Sequence, residues 1–227
     1  MKYGFYSDNS LETFVEWPWR CPPFTQPSGK KNVAIFGCSF TYGVGLDENQ
    51  TWVHKVSQHN TKRLRYWNLG QPGASADTIT RLVYASEKVV FPNIIIIMWP
   101  AISRRERLDT YIQNVLGSHE TLKYENYNTD KNNFLKNVFL VEKFAEKNNC
   151  KTMHCFAIDY VEFRTPKNKP EVLENYTLRN CWPYWDSRTQ RQKKVKPSYA
   201  KDGLHYGEEH HTRFAELFLQ RFANKLK

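Results

Sequence analysis

Apolar positions along the chain follow two spacings. In Val33–Phe36 and Ile94–Met98 every residue is apolar, whereas longer stretches between them repeat an apolar residue every three or four positions. A run with no polar position has no solvent face, as in a strand of a parallel sheet covered on both sides. A three-to-four spacing draws one apolar stripe along a helix. This pattern predicts strands at Val33–Phe36, Arg65–Leu69, Ile94–Met98 and Thr152–Ile158. It predicts helices at Glu48–Gln58, Ser75–Val89, Ser103–Leu116, Asn133–Lys147 and Arg213–Leu226, with Ser75 as the cap of the second. Alternating strands and helices imply an α/β fold, a central parallel sheet with helices on both faces. Ligands of such sheets bind at the carboxyl ends of the strands. Ser39, Gly70 and Trp99 each lie just past a predicted strand, so three distant segments are expected to meet at one crevice.

Composition narrows the picture. The 227 residues, 40% hydrophobic, suit one domain over residues 32–227, preceded by an irregular arm, 1–31, whose tryptophans and prolines suggest packing against it. No apolar run approaches the length of a membrane span. The first residues, MKYGFYSDNS, lack the apolar centre of a signal peptide, which leads us to expect a cytoplasmic protein, of a cell or of a virus that infects one. Five cysteines, an odd number without a Cys-x-x-Cys pair, are expected to be reduced thiols rather than zinc ligands. The net charge of +10 attracts anions such as phosphates, acidic glycans and nucleic acid. No recognisable nucleic-acid module accompanies it, so nucleic acid is disfavoured as a partner.

Candidate chemistry starts at VAIFGCSFTYGVGL, where a strand ends on Gly37 and Cys38 and passes to Ser39. A serine hydroxyl becomes a nucleophile only when a base takes its proton and a third group orients that base. KDGLHYGEEHH supplies Asp202 and His205, three apart in a turn before the last helix. NLGQPGASADT, after the second strand, can bring a backbone N–H such as that of Gly70 to a developing oxyanion, or can be a tight turn that caps the next helix.

Together these segments resemble the SGNH/GDSL hydrolase family. FGCSFTYG is similar to its first block, with Gly37-Cys38-Ser39 where Gly-Asp-Ser is usual; NLGQPGAS is similar to the second and DGLH to the last. The resemblance covers Asn32 to Lys227. It implies a three-layer α/β/α sandwich of the flavodoxin-like type. It also implies Ser39 as nucleophile, His205 as general base and Asp202 as its orienting carboxylate. The N–H groups of Ser39 and Gly70 would serve the oxyanion. No metal or organic cofactor is required by that chemistry.

The family's third block, Gly-x-Asn-Asp, is missing. IIIIMWPAISRRE stands in its place, and no asparagine occurs between Asn93 and Asn114. Substitute donors on that loop are Trp99, Ser103, Arg104 and Arg105. Cys38 is a second candidate nucleophile, although its side chain should point away from that of Ser39 in an extended segment. His210 and His211 are expected to be exposed at a polar helix start. NCWPYWDSRTQRQKKVKPSY directly precedes the Asp202 turn; Trp182, Tyr184 and Trp185 can stack on sugar rings or bases, and its lysines and arginines can hold anions, or it can be a surface loop or lid. With Trp99 and Arg104 these aromatics form the expected substrate-binding set. Two function classes remain open. One is an esterase or deacetylase acting on an acylated small molecule or glycan through an acyl-enzyme. The other is a non-catalytic glycan-binding or assembly protein on the same fold.

Overall fold

A computed structural model describes residues 18–24, 29–107, 113–115, 127–157, 177–178 and 198–227. In chain order its elements are β1 (Lys31–Gly37), α1 (Ser39–Tyr42), α2 (Trp52–Ser57), β2 (Leu64–Gly70), α3 (Ala76–Ser86), β3 (Ile94–Trp99), β4 (Arg105–Arg107), β5 (Gln113–Val115), α4 (Tyr127–Lys147), β6 (Lys151–Phe156), β7 (Thr177–Leu178) and α5 (Glu208–Phe222). The main sheet runs β2-β1-β3-β6-β7 and every pairing in it is parallel. Counting only its own strands the order is 2-1-3-4-5, the flavodoxin-like arrangement. β1 lies between its neighbours, with Gly37 level with Gly70 on one side and Met98 on the other. The strand order reverses there, the point at whose carboxyl ends such sheets bind their ligands.

The all-apolar strands are buried as their pattern requires: Ile95, Ile96 and Ile97 have no exposed surface. Helices cover both faces of the sheet, α3 packing with α4 and α2 with α5. Trp52 of α2 sets its ring edge against Phe214 of α5 at 4.9 Å, and Phe134 of α4 sits edge-on to Trp99 at 5.3 Å. A ring buried this completely contributes about 1.5–3 kcal/mol. Ser75 caps α3, accepting the Thr78 N–H while the Thr78 hydroxyl accepts the Ser75 N–H. Asp77, on the first turn of α3, ties the two helices by accepting from Asn133, Lys136 and Asn137 of α4. Burial alone would raise its carboxyl pKa, but the two amides and the ammonium outweigh it and hold the group below its usual range.

Two expected helices come out differently. The helix expected at Glu48–Gln58 is split, because Thr51 is extended (ψ 150°) and caps α2 by accepting the His54 N–H at 3.2 Å. Glu48–Gln50 is a separate 3-10 turn. The helix expected at Ser103–Leu116 is replaced by the antiparallel pair β4 and β5, with Arg105 level with Val115. Arg105 is anchored outside the pair by Asp130 of α4, through Nε at 3.1 Å and Nη2 at 2.9 Å. A cross-strand partner and a distant carboxylate override a weak local period there. Of the N-terminal arm, Phe24 stacks on Trp67 at 5.2 Å. Arg20 donates to the carbonyls of Gly43 and Leu46 and lies over the Tyr42 ring, 4.5 Å from its centroid.

Candidate active site

β1 delivers the serine. Cys38 is extended (φ −96°, ψ −154°) at the N-cap of α1, and its carbonyl accepts the N–H groups of Thr41 and Tyr42 at 2.9 and 3.0 Å. α1 is four residues long and ends at Gly43. The chain therefore turns from strand to helix over two residues. Cys38 is wholly inside the hydrophobic core, which leaves Ser39, 7% exposed, as the nucleophile candidate at the strand end.

The loop after β2 is laced to that turn. The Asn68 amide donates to the Thr41 carbonyl at 3.1 Å, and its oxygen accepts the Gly70 N–H at 3.1 Å. The Gln71 N–H donates to the Gly37 carbonyl at 2.9 Å. The expectation for Gly70 is thereby corrected. Its N–H is buried and already spent on Asn68, because the strand end needs that bond to satisfy its own backbone. Directly after it, Gln71-Pro72-Gly73-Ala74 forms a β-turn closed by the Ala74 N–H on the Gln71 carbonyl at 3.0 Å, with Gly73 at φ 80°. That is a type II turn, which asks for glycine at its third position. Gly73 is half-buried, and its N–H has no backbone partner among the described residues. The Pro-Gly pair in NLGQPGAS is the sequence signal that could have pointed to it.

The Asp202–His205 turn is built differently. Asp202 Oδ1 accepts the N–H groups of Leu204 and His205, both at 3.0 Å, and Oδ2 meets His205 Nδ1 at 2.6 Å. Those backbone N–H groups, followed by the imidazole, pull the Asp202 carboxyl down to about 2. An ionised carboxylate only accepts, so Nδ1 carries the proton and Nε2 is left as the basic nitrogen. The His205 ring packs edge-on to Phe40, the residue after Ser39, with centroids 5.5 Å apart. The turn docks through the Lys201 N–H on the Gly45 carbonyl at 3.0 Å. Contact is so close that a Cβ on Gly45, itself at φ 77°, would stand 3.1 Å from Asp202 Cγ. Ser39 and His205 make no direct hydrogen bond; such bonds commonly tighten only when substrate binds.

α5 holds this turn from behind. Ser198 Oγ bonds His210 Nδ1 at 3.1 Å, and the Trp52 N–H donates to His211 Nδ1 at 3.1 Å. Both histidines are buried, His210 completely and His211 at 1% exposure, which corrects the expectation that they face solvent. His211 lies on the stripe of α5 that faces α2, whereas the His210 ring is covered by Tyr206, which stacks on it at 4.8 Å. Burial, with the nearby His210, Lys55 and His205 charges behind it, pushes His211 down to about 3, and burial also lowers His210.

At the end of β3, Trp99 has no exposed surface and donates its indole N–H to His154 Nδ1 at 2.9 Å. His154 Nε2 in turn meets Glu142 Oε1 at 2.7 Å. Trp99 is therefore a core residue, a correction to its place among the substrate-binding candidates. Its ring follows the apolar face that α4 covers. Arg104 turns back over the carboxyl edge, its Nη1 3.5 Å from the Ala74 carbonyl. Trp182, Tyr184 and Trp185 lie outside the described residues.

No family model matches the sequence, and no curated protein matches it. Solved structures match the fold. The crystal structure of TesA superposes with a TM-score of 0.57 at 14% identity, covering 86% of this chain and 99% of that one. A member of the lipolytic G-D-S-L family from Veillonella parvula gives 0.51 at 14%, covering 85% and 98%. The acetyl xylan esterase AlAXEase gives 0.52 at 14%, covering 83% and 98%. The chain has the fold of the SGNH/GDSL hydrolases.

Proposed function

We propose that the protein is a serine ester hydrolase whose substrate is an acyl ester carried by a glycan. The observation that carries this reading is the Asp202–His205 pair, with Nε2 left basic, docked beside the Ser39 turn at the point where the strand order reverses. Ser39 Oγ attacks the ester carbonyl carbon while His205 Nε2 takes its proton. Asp202 holds the imidazole and stabilises the imidazolium. The oxyanion forms beside the N–H groups of Ser39 and Gly73. His205 then gives the proton to the leaving alkoxide as the C–O bond breaks, and the acyl group stays on Ser39. Water attacks this acyl-enzyme, losing a proton to His205, and Ser39 departs with that proton as the carboxylic acid is released.

Support for the ester comes from the neighbours, which include an acetyl xylan esterase. Support for the glycan comes from Trp182, Tyr184 and Trp185, in the segment that runs up to the Asp202 turn, since aromatic faces stack on sugar rings. The test is covalent labelling with a fluorophosphonate, mapped by mass spectrometry on wild type, Ser39→Ala and His205→Ala. Labelling confined to Ser39 and at least ~10³-fold slower without His205 is expected. Folded wild type that takes no label would leave a ligand-binding protein on a hydrolase fold. For the glycan, kcat/KM on acetylated xylo-oligosaccharide should exceed that on p-nitrophenyl acetate; the reverse order would remove the glycan from the reading.

A further inference from the structure

Three groups between the end of β3 and the start of β4 compete with Arg104 as polar donors toward the crevice, and each is otherwise engaged or faces solvent. The Trp99 indole N–H is bound to His154 inside the core. The Arg105 guanidinium is bound to Asp130. Ser103 is exposed to solvent. Arg104 differs from all three. Among the described residues its side chain makes one hydrogen bond, to the Ala74 carbonyl, at the outer limit for such a bond at 3.5 Å, and its Nε is buried with no partner. A buried donor on a cation is costly to leave unpaired, so this one calls for an acceptor that arrives later.

The topology says where that acceptor would be. Arg104 belongs to the loop after β3, and Ala74 belongs to the loop after β2. β1 runs between those two strands. Both loops therefore leave the sheet at its carboxyl edge on either side of β1, whose own end passes into α1 at Ser39. On the β2 side Arg104 meets the same short loop that carries Gly73.

We propose that Arg104 is a catalytic residue whose guanidinium donates a charge-assisted hydrogen bond to the oxyanion formed when Ser39 attacks; this rests on the hydrolase reading above. The backbone N–H groups of Ser39 and Gly73 and this guanidinium then surround one oxygen from three loops. A charged donor in a site shielded from water strengthens as negative charge develops, so its effect falls on the transition state rather than on substrate binding.

The experiment compares p-nitrophenyl acetate, a neutral ester, in wild type, R104K and R104Q, alongside fluorophosphonate labelling of each. R104Q should lower kcat about 10²–10³-fold with little change in KM. R104K should fall between, because a point charge replaces a planar fork. Millimolar guanidinium chloride should restore part of the R104Q rate and none in Ser39→Ala. A second measurement needs no variant to fold in active form: the Nε–H resonance of Arg104 in wild type should move downfield when Ser39 is phosphonylated. Wild type that labels at Ser39 while R104Q keeps its kcat would overturn the role of Arg104 and leave the hydrolase reading standing. So would a loss confined to KM, which would make Arg104 a substrate-anchoring group, or an Nε–H signal that phosphonylation leaves unmoved. Wild type that takes no label overturns both.

Discussion

The two halves of the candidate site are held by opposite means. Ser39 is set by long-range structure: Gly37 is level with Gly70 and Met98, and Asn68 and Gln71 bond the loop after β2 onto the turn that carries the serine. Cys38 and Thr41 on either side of it are buried and bonded to each other through the backbone. The Asp202–His205 turn is set by itself. The carboxylate accepts from two N–H groups within three residues and from the imidazole beside them, and the residues from Lys201 to Leu204 are exposed. A nucleophile needs a fixed address, which a sheet provides. A base needs the right tautomer and some freedom to follow the proton between attack and departure, which an exposed, locally bonded turn provides.

If that contrast is right, chemistry and stability should separate between the two halves. The largest separation is expected for Asp202→Asn. The tautomer lock on His205 is lost, and esterase kcat should fall ~10³–10⁴-fold. Because the turn is exposed, the melting temperature should hardly move; a large drop in it would show that the turn supports the fold as well. The pKa of about 2 adds a sign. Asp202 stays ionised above pH 3, so its own titration should add no acid limb to the rate profile between pH 4 and 7.

Next in size is Gly45→Ala, at the seam between the halves. Its Cβ would crowd Ala200 Cβ at 2.9 Å as well as Asp202, at a positive φ. Displacing the turn should lower kcat about 10–100-fold. The left-handed backbone should also cost about 1–2 kcal/mol, measured by urea unfolding. A rate equal to wild type would mean that the turn does not dock there in solution.

Asn68→Ala should do the reverse. It leaves the buried Gly70 N–H and Thr41 carbonyl unpaired and should cost about 1–3 kcal/mol of stability. The rate per folded molecule should change only a few-fold. A collapse in rate with unchanged stability would mean that Asn68 itself takes part in the chemistry.

The smallest effect is acid sensitivity. His211 is neutral in the fold, with its pKa lowered to about 3, and titrates near 6.5 when unfolded. The unfolded chain therefore binds the proton first. The stability from this group is complete above about pH 6.5 and declines as pH falls from there toward 3, at up to ~1.4 kcal/mol per pH unit. His210 acts in the same direction. Unfolding curves at pH 7.5 and 5.5 should show the loss, and His211→Gln should flatten it.

What the sequence determined by itself is what short-range periodicity and local bonding encode. The all-apolar strands, the Ser75 cap, the burial of Cys38 and the Asp-x-x-His turn depend on neighbours a few residues away or on a solvent-free environment, and each was legible in the residues. Tertiary structure decided the rest. Whether the Gly70 N–H is free depends on Asn68 being turned onto Thr41. Whether Trp99 faces the crevice or the core depends on α4 and on His154 two strand positions along β6. The burial of His211 depends on α2, and that of His210 on Ser198 and Tyr206. Such outcomes turn on which of two nearby partners claims a single hydrogen bond or ring face. That competition is settled only when distant segments meet, because a buried polar group takes whichever partner the packing brings to it.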